Sequence, residues 1–290
     1  MSSRFYLVSE NTMPIVKVND IEMYYEIHGE GVPLIIIPGL WGSSESGYAR
    51  IFMEGFSSEY KVILLDNRGT GRSDKPDIEY SITMMANDIS GLLDAILIPK
   101  AHVLGGSMGG AIALALSLNH PDTVLSLILC CTCCGSQRWY GSAPNPTTKE
   151  FWNFVESVAR GQPPEMSVEE YSEFFLRMFF TPSYIQKNRD SLLRSMASIK
   201  YPTPLVGRVR QAQAALNFDF CERLPEIKIP TIIMAAEDDV VVSPENSRFL
   251  AERISDARLK MFNEGAHNFI PELQHQVIPL ILDFLDEVDT

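Results

Sequence analysis

Three places in this sequence carry residue types that can do chemistry together. The first is Gly105-Gly106-Ser107-Met108-Gly109-Gly110, set between an apolar run, Ala101 to Leu104, and an apolar helical stretch, Ala111 to Leu118. A serine between a buried strand and a helix, with glycine at both second neighbours, reads as a nucleophile elbow. The reason is steric: the turn is so tight that side chains at 105 and 109 would clash across it, and the serine itself takes a strained backbone. Its hydroxyl then stands exposed at a sheet edge, with the Met108 N–H aimed where an oxyanion would form. The competing interpretation is a Gly-rich turn with an incidental serine.

The second place is Glu237-Asp238-Asp239, just past an apolar run from Thr231 to Ala235. The third is Gly265-Ala266-His267, just past the strand-like Arg258 to Phe262. A serine hydroxyl is a poor nucleophile until an imidazole takes its proton, and the imidazole needs a carboxylate to fix its tautomer. Serine, acid and histidine, in that order and each after a strand, meet the requirement. Asp238 and Asp239 are adjacent, so their side chains diverge and only one can meet His267. The remaining histidines sit in less suitable places. His28 ends a hairpin strand, His102 starts a buried one, His120 closes a helix and His275 lies within one.

These residues require a frame that brings three strand ends together. Ile15–Val18 and Ile21–His28 read as a hairpin about Asn19-Asp20. Val32–Ile37, Val62–Leu65, Ala101–Leu104 and Val124–Leu129 are continuous apolar runs, as strands covered on both faces should be. Helical patterns over 44–56, 81–96 and 111–118 alternate with them, the signature of a parallel sheet between helical layers. From Gly135 no strand is readable until Thr231. Helical stretches near 147–160, 167–179, 183–196 and 205–216 fill the gap, the second opened by a Ser167/Glu170 capping box. Strand and helix alternation then resumes, ending in a helix expected over 271–285. Residues 1–12 read as a loose leader without the long apolar core of a signal peptide.

The chain of 290 residues is 46% hydrophobic and 21% charged, ordinary values for a globular protein, and its net charge is −13. That charge argues against nucleic acid or anionic membrane as a partner and leaves a small molecule. The longest uncharged stretch is broken by glycines and belongs to the elbow unit rather than to a membrane span. Cys130, Cys131, Cys133 and Cys134 are placed on one extended strand, where alternate sulfurs face opposite ways and cannot gather one ion. They are expected to be small, buried and reduced, with the cytoplasm as the address. Neither a metal nor a cofactor is implied.

With these marks in view, the chain from Met13 onward resembles an α/β-hydrolase with a helical cap. It is similar to the branch of small esterases, enol-lactonases and meta-cleavage-product hydrolases. The matching marks are Pro38-Gly39 after the third strand, the Asp66-x-Arg68-Gly69-x-Gly71-x-Ser73 loop, the elbow, the acid loop and Gly265-Ala266-His267. The resemblance implies a mostly parallel eight-stranded sheet with helices on both faces. It divides the chain into a core, 13–135 with 221–290, and a cap, 136–220. It implies Ser107, Asp239 and His267 as the triad, with Leu40 joining Met108 as oxyanion donor. Asp239 is selected over Asp238 because Ala236 and Ser243 take the places of a glycine and a proline that often flank the family's acid. Trp41, Trp139, Phe175 and Phe179 are the expected pocket residues. The activity implied is hydrolysis of small, largely apolar esters or lactones. A C–C hydrolase with the same triad and a ligand receptor with little turnover are the alternatives.

Overall fold

The computed structural model describes residues 14–142 and 145–290; the expected leader at 1–12 lies outside them. Eight strands form one sheet: β1 (Ile15–Val18), β2 (Ile21–His28), β3 (Val32–Ile37), β4 (Tyr60–Leu65), β5 (Ala101–Gly106), β6 (Val124–Cys130), β7 (Thr231–Ala236) and β8 (Arg258–Phe262). Their spatial order is β1-β2-β4-β3-β5-β6-β7-β8. The hairpin β1–β2 is antiparallel and joins β4 antiparallel; every later pairing is parallel. The strands that read as unbroken apolar runs are the central ones, β3 to β7, buried on both faces.

The helices are α1 (Gly47–Phe56), α2 (Ile82–Ala95), α3 (Met108–Asn119), α4 (Pro146–Ala159), α5 (Val168–Phe179), α6 (Pro182–Ala197), α7 (Leu205–Ala215), α8 (Glu245–Arg253), α9 (Phe269–Glu272) and α10 (Gln274–Asp289). One core lies between the sheet and α2, α3 and α8. A second lies beneath α1, α9 and α10 on the other face. Ser81 caps α2 through the Met84 N–H, and Ser167 with Glu170 forms the expected capping box at α5. The single terminal helix expected from 271 is instead two, broken at Leu273, and α10 carries Pro279 within it. Helices α4 to α7 all fall between β6 and β7, and α4, α5 and α7 build a third, aromatic-rich core together with Trp139, Val241 and Val242. Among the described residues, no helix is long and apolar enough to cross a membrane.

The cysteines depart from expectation. Strand β6 stops at Cys130, and Cys131 turns the chain with a positive φ of 42°, so the four do not share one strand. Cys134 is joined in a disulfide to Cys221, with Cα atoms 5.0 Å apart across 87 residues of sequence. Cys130, Cys131 and Cys133 are free and buried. The pair lies where the chain leaves the sheet for the helical block and where it returns. There the two segments run side by side, with Phe220 N–H donating to Cys134 O (2.7 Å) and Ser136 N–H to Phe218 O (2.8 Å). Sequence alone could not name the partner, because nothing local brings Cys221 to this cluster.

Candidate active site

Ser107 stands between β5 and α3 with φ +54° and ψ −124°. A non-glycine residue there is strained by about 1–3 kcal/mol and persists only where its surroundings hold it. They do: Ser107 N–H donates to Cys130 O (2.9 Å), and its carbonyl accepts from Thr132 Oγ1 (2.7 Å). A Cβ at Gly105 would lie 2.3 Å from Gly109 O, the clash expected from sequence. At Gly109 the obstacle is different, since a Cβ would meet Ile37 O at 2.2 Å. The second glycine therefore lets α3 approach the end of β3 rather than the turn itself.

Asp239 and His267 follow β7 and β8, neighbours in the sheet. Their side chains meet, with His267 Nδ1 2.8 Å from Asp239 Oδ2. Asp239 Oδ1 accepts the N–H groups of Val241 (2.8 Å) and Val242 (2.9 Å), which fixes the carboxylate's rotation. Both side chains are buried, whereas Asp238 is exposed. Burial alone would lower the affinity of His267 for a proton. The Asp239 carboxylate outweighs it and raises the imidazole well above its ordinary value. With Nδ1 committed to Asp239, Nε2 is the nitrogen left for a reacting group.

Leu40 follows β3 in a turn, and its N–H takes no protein acceptor among the described residues. Met108 is the first residue of α3, so its N–H has no intrahelical acceptor either. Both residues line the cavity that Ser107 and His267 also border, of about 460 Å³. Trp41, Trp139, Phe175 and Phe179 all border it as well. Phe179 sets its ring edge-on to His267 at 5.2 Å and stacks on Phe175 at 5.5 Å. Trp41 meets the Phe175 ring at 6.4 Å. Trp139 is buried against Trp152, and its Nε1 donates to Ala215 O. A Cβ at Gly106 would meet nothing nearer than 3.9 Å, so the space beside the serine is open.

Several wall residues escaped the sequence reading. Leu192, Met196 and Ile199 line the cavity from α6 and the turn after it. Their i, i+4, i+7 spacing was the available signal, obscured because the rest of α6 is mostly polar and charged. Tyr48 accepts the Gly39 N–H through its hydroxyl (2.6 Å). Cys131 also faces Asp239 and His267. Its sulfur lies within 4.8 Å of a carboxylate oxygen of Asp239 and a ring nitrogen of His267, a trio of metal-ligand types. Burial pushes the Cys131 thiol above its ordinary value, which keeps it protonated, with His267 pulling the other way. Asp239 is already held by three N–H donors, a state that suits an acid orienting a histidine.

A family model described as the alpha/beta hydrolase fold matches residues 32–272. The chain belongs to the alpha/beta hydrolase fold family. Among relatives of this hydrolase is a protein of Azorhizobium caulinodans named as a carbamate hydrolase, RutD. It is 32% identical over 278 residues, which cover 96% of this chain and all of that one. The enol-lactonase of Burkholderia xenovorans LB400 has the same fold, with a TM-score of 0.81 at 24% identity over 94% of this chain and all of the other. A meta-cleavage product hydrolase from Pseudomonas fluorescens IP01 superposes with a TM-score of 0.77 at 26% identity. That match covers 94% of this hydrolase and 97% of the other chain.

Proposed function

We propose that this hydrolase is a serine enzyme cleaving small, largely apolar carboxylic esters or lactones through an acyl-enzyme intermediate. The observation that carries the reading is the hydrogen-bonded Asp239–His267 pair sharing one aromatic-walled cavity with a serine at a strained elbow. In this mechanism Ser107 Oγ attacks the carbonyl carbon while His267 Nε2 accepts its proton. Asp239 holds the ring in the tautomer that leaves Nε2 free and stabilises the imidazolium. The N–H groups of Leu40 and Met108 receive the oxyanion. His267 then returns the proton to the departing alkoxide, and water repeats the sequence to release the acid.

Residues 136–220 act in this reading as a cap supplying the acyl pocket, with Trp139, Phe175 and Phe179 as wall. Trp41 contributes from the core side. The wall is mostly aromatic and aliphatic, which supports an apolar acyl group over a charged one. The relatives' name adds carbamates as the second substrate class, since a carbamic ester offers the same carbonyl to the same serine. C–C cleavage of the meta-cleavage type, with the likeness to such a hydrolase in its favour, and a receptor with little turnover are the remaining readings. The test is turnover of graded p-nitrophenyl esters, a lactone panel and an aryl carbamate, with an organophosphonate to label the nucleophile. Esters or lactones turned over with Ser107 labelled support the proposal. Labelling at another serine, or no turnover of any class, refutes it.

A further inference from the structure

The turn that presents the Leu40 N–H contains a second strained residue. Trp41 has φ +61°, in the left-handed region that a bulky aromatic side chain rarely adopts. Something must hold it there, and its three hydrogen-bonding groups show what does. The Trp41 N–H donates to Gln211 Oε1 (2.9 Å), its carbonyl accepts from Thr203 Oγ1 (2.9 Å), and its indole Nε1 donates to Arg208 O (2.9 Å). All three partners lie in the short span 203–211 that leads into and forms α7, outside the sheet.

Gln211 is the buried member of the set, with no exposed surface at all. Its amide is claimed at both ends, because Nε2 donates to Arg68 O at 2.9 Å while Oε1 receives Trp41. The two contacts fix which way the amide points, since exchanging its ends would set donor against donor. Its anchor is firm too. Arg68 is itself buried and paired with Asp88 and Asp20 (both 2.8 Å). Helix α7 sits directly on that loop, where a Cβ at Gly207 would lie 1.9 Å from Gly69 O. On the other side of the turn, Gly39 N–H is held by the Tyr48 hydroxyl at 2.6 Å. The peptide unit carrying the Leu40 N–H is therefore clamped between two fixed neighbours, and one clamp comes from the helical block.

We infer that Gln211 is a positioning residue for the oxyanion donor at Leu40, coupling the seating of α7 to stabilisation of the transition state. This rests on the serine-hydrolase reading above. Gln211 touches no substrate; it acts through the orientation of the 40–41 peptide. The donor is needed most when negative charge develops on the carbonyl oxygen, so a loosened turn should slow the chemical step far more than it weakens ground-state binding.

The test compares Gln211→Met, which keeps the volume but removes both hydrogen bonds, with Gln211→Glu, which keeps an acceptor for Trp41 and, protonated as full burial favours, a donor for the Arg68 carbonyl. Loss of one oxyanion donor outright costs about 10²–10³ in kcat. A mispositioned donor should therefore lower kcat about 10–100-fold in Gln211→Met, with KM changed less than about threefold. Binding of a trifluoromethyl ketone, which forms a tetrahedral adduct at the serine, should weaken by the same factor. Gln211→Glu should recover a large part of both. A fall in melting temperature with kcat unchanged, or a rise in KM alone, overturns the inference. If Gln211→Met does not fold, Thr203→Val must show a smaller loss with the same kcat signature, and an unaffected kcat there overturns it equally. Organophosphonate labelling of the wild type separates the two levels. Failure to label Ser107 removes the hydrolase reading itself, whereas a labelled Ser107 with wild-type kinetics in the variants removes only Gln211.

Discussion

Asp239 Oδ2 lies 2.8 Å from His267 Nδ1, while its neighbour Asp238 points to solvent. Two adjacent carboxylates on one loop thus have opposite environments, and their amides should separate them cleanly. Asp239→Asn keeps the shape but presents a donor to Nδ1, favouring the wrong imidazole tautomer, and is expected to lower kcat on the order of 10⁴. Asp238→Asn should stay within about twofold of wild type, as surface changes away from a site usually do. Steady-state kinetics of the two variants is the check, and the opposite pattern would exchange their roles.

The same pair sets the pH dependence. Asp239 raises His267 above its ordinary value of 6.5. The stabilisation it gives is therefore fully present below pH 6.5 and is lost as pH climbs through the raised value. Activity should run the other way, because His267 in its proposed role as base must be neutral. The acidic limb of the kcat/KM profile should thus lie above pH 6.5 in the wild type. In Asp239→Asn the residual activity should show that limb displaced to lower pH, since burial alone then acts on the ring. A limb that does not move would deny His267 the role of base.

Ser107→Ala should lower ester turnover on the order of 10⁶ if acylation limits the rate, with the fold intact because alanine replaces only the hydroxyl. Mass spectrometry after organophosphonate treatment should find one adduct, on the peptide containing Ser107. Unchanged turnover in the variant would end the mechanism.

The aromatic cavity predicts a graded response to acyl length. Burial of one methylene is worth about 0.8 kcal/mol, so kcat/KM should rise roughly fourfold per carbon until the space is filled. Phe175→Ala and Phe179→Ala enlarge the wall and should move the maximum to longer chains. Initial rates on p-nitrophenyl acetate through octanoate measure this. A flat profile, identical in both variants, would deny the cavity an acyl-binding role.

Replacing both Cys134 and Cys221 by serine should cost about 2–4 kcal/mol, from the entropy regained by a long open loop. For a chain of this size that corresponds to a melting temperature lower by about 3–7 °C. Reduction of the wild type should give the same shift. Equal melting of oxidised and reduced protein would show that the bridge is open in solution.

The frame was legible because its strands are apolar on both faces and its turns are spelled in glycine. Val32–Ile37 or Thr231–Ala236 can hardly be anything but the inside of a sheet. The residues proposed for catalysis were legible for a related reason: each stands in a short loop after a strand, so local sequence locates it. What could not be read depends on contacts between distant segments. Gln211 looks like any polar residue on a helix until α7 is laid against Trp41 and Arg68. Cys221 looks single until the two ends of the helical block are brought together. The break at Leu273 has no punctuating glycine or proline at the residue itself, and Pro279 marks a different place.

The order of elements along the chain has a consequence for assembly. Strands β6 and β7 pair directly, Leu127 beside Thr231, with roughly a hundred residues of chain between them. Ser107 and its turn belong to the part synthesised first, whereas Asp239 and His267 arrive with the last two strands. While the nascent chain is still emerging, the serine elbow can form without either partner. Asp239 and His267 are delivered only after the long helical excursion has folded back and β7 has found the edge of β6. On the proposed roles, an incomplete or misfolded copy therefore holds the nucleophile without its base, and hydrolytic power is withheld until the whole sheet has closed ranks.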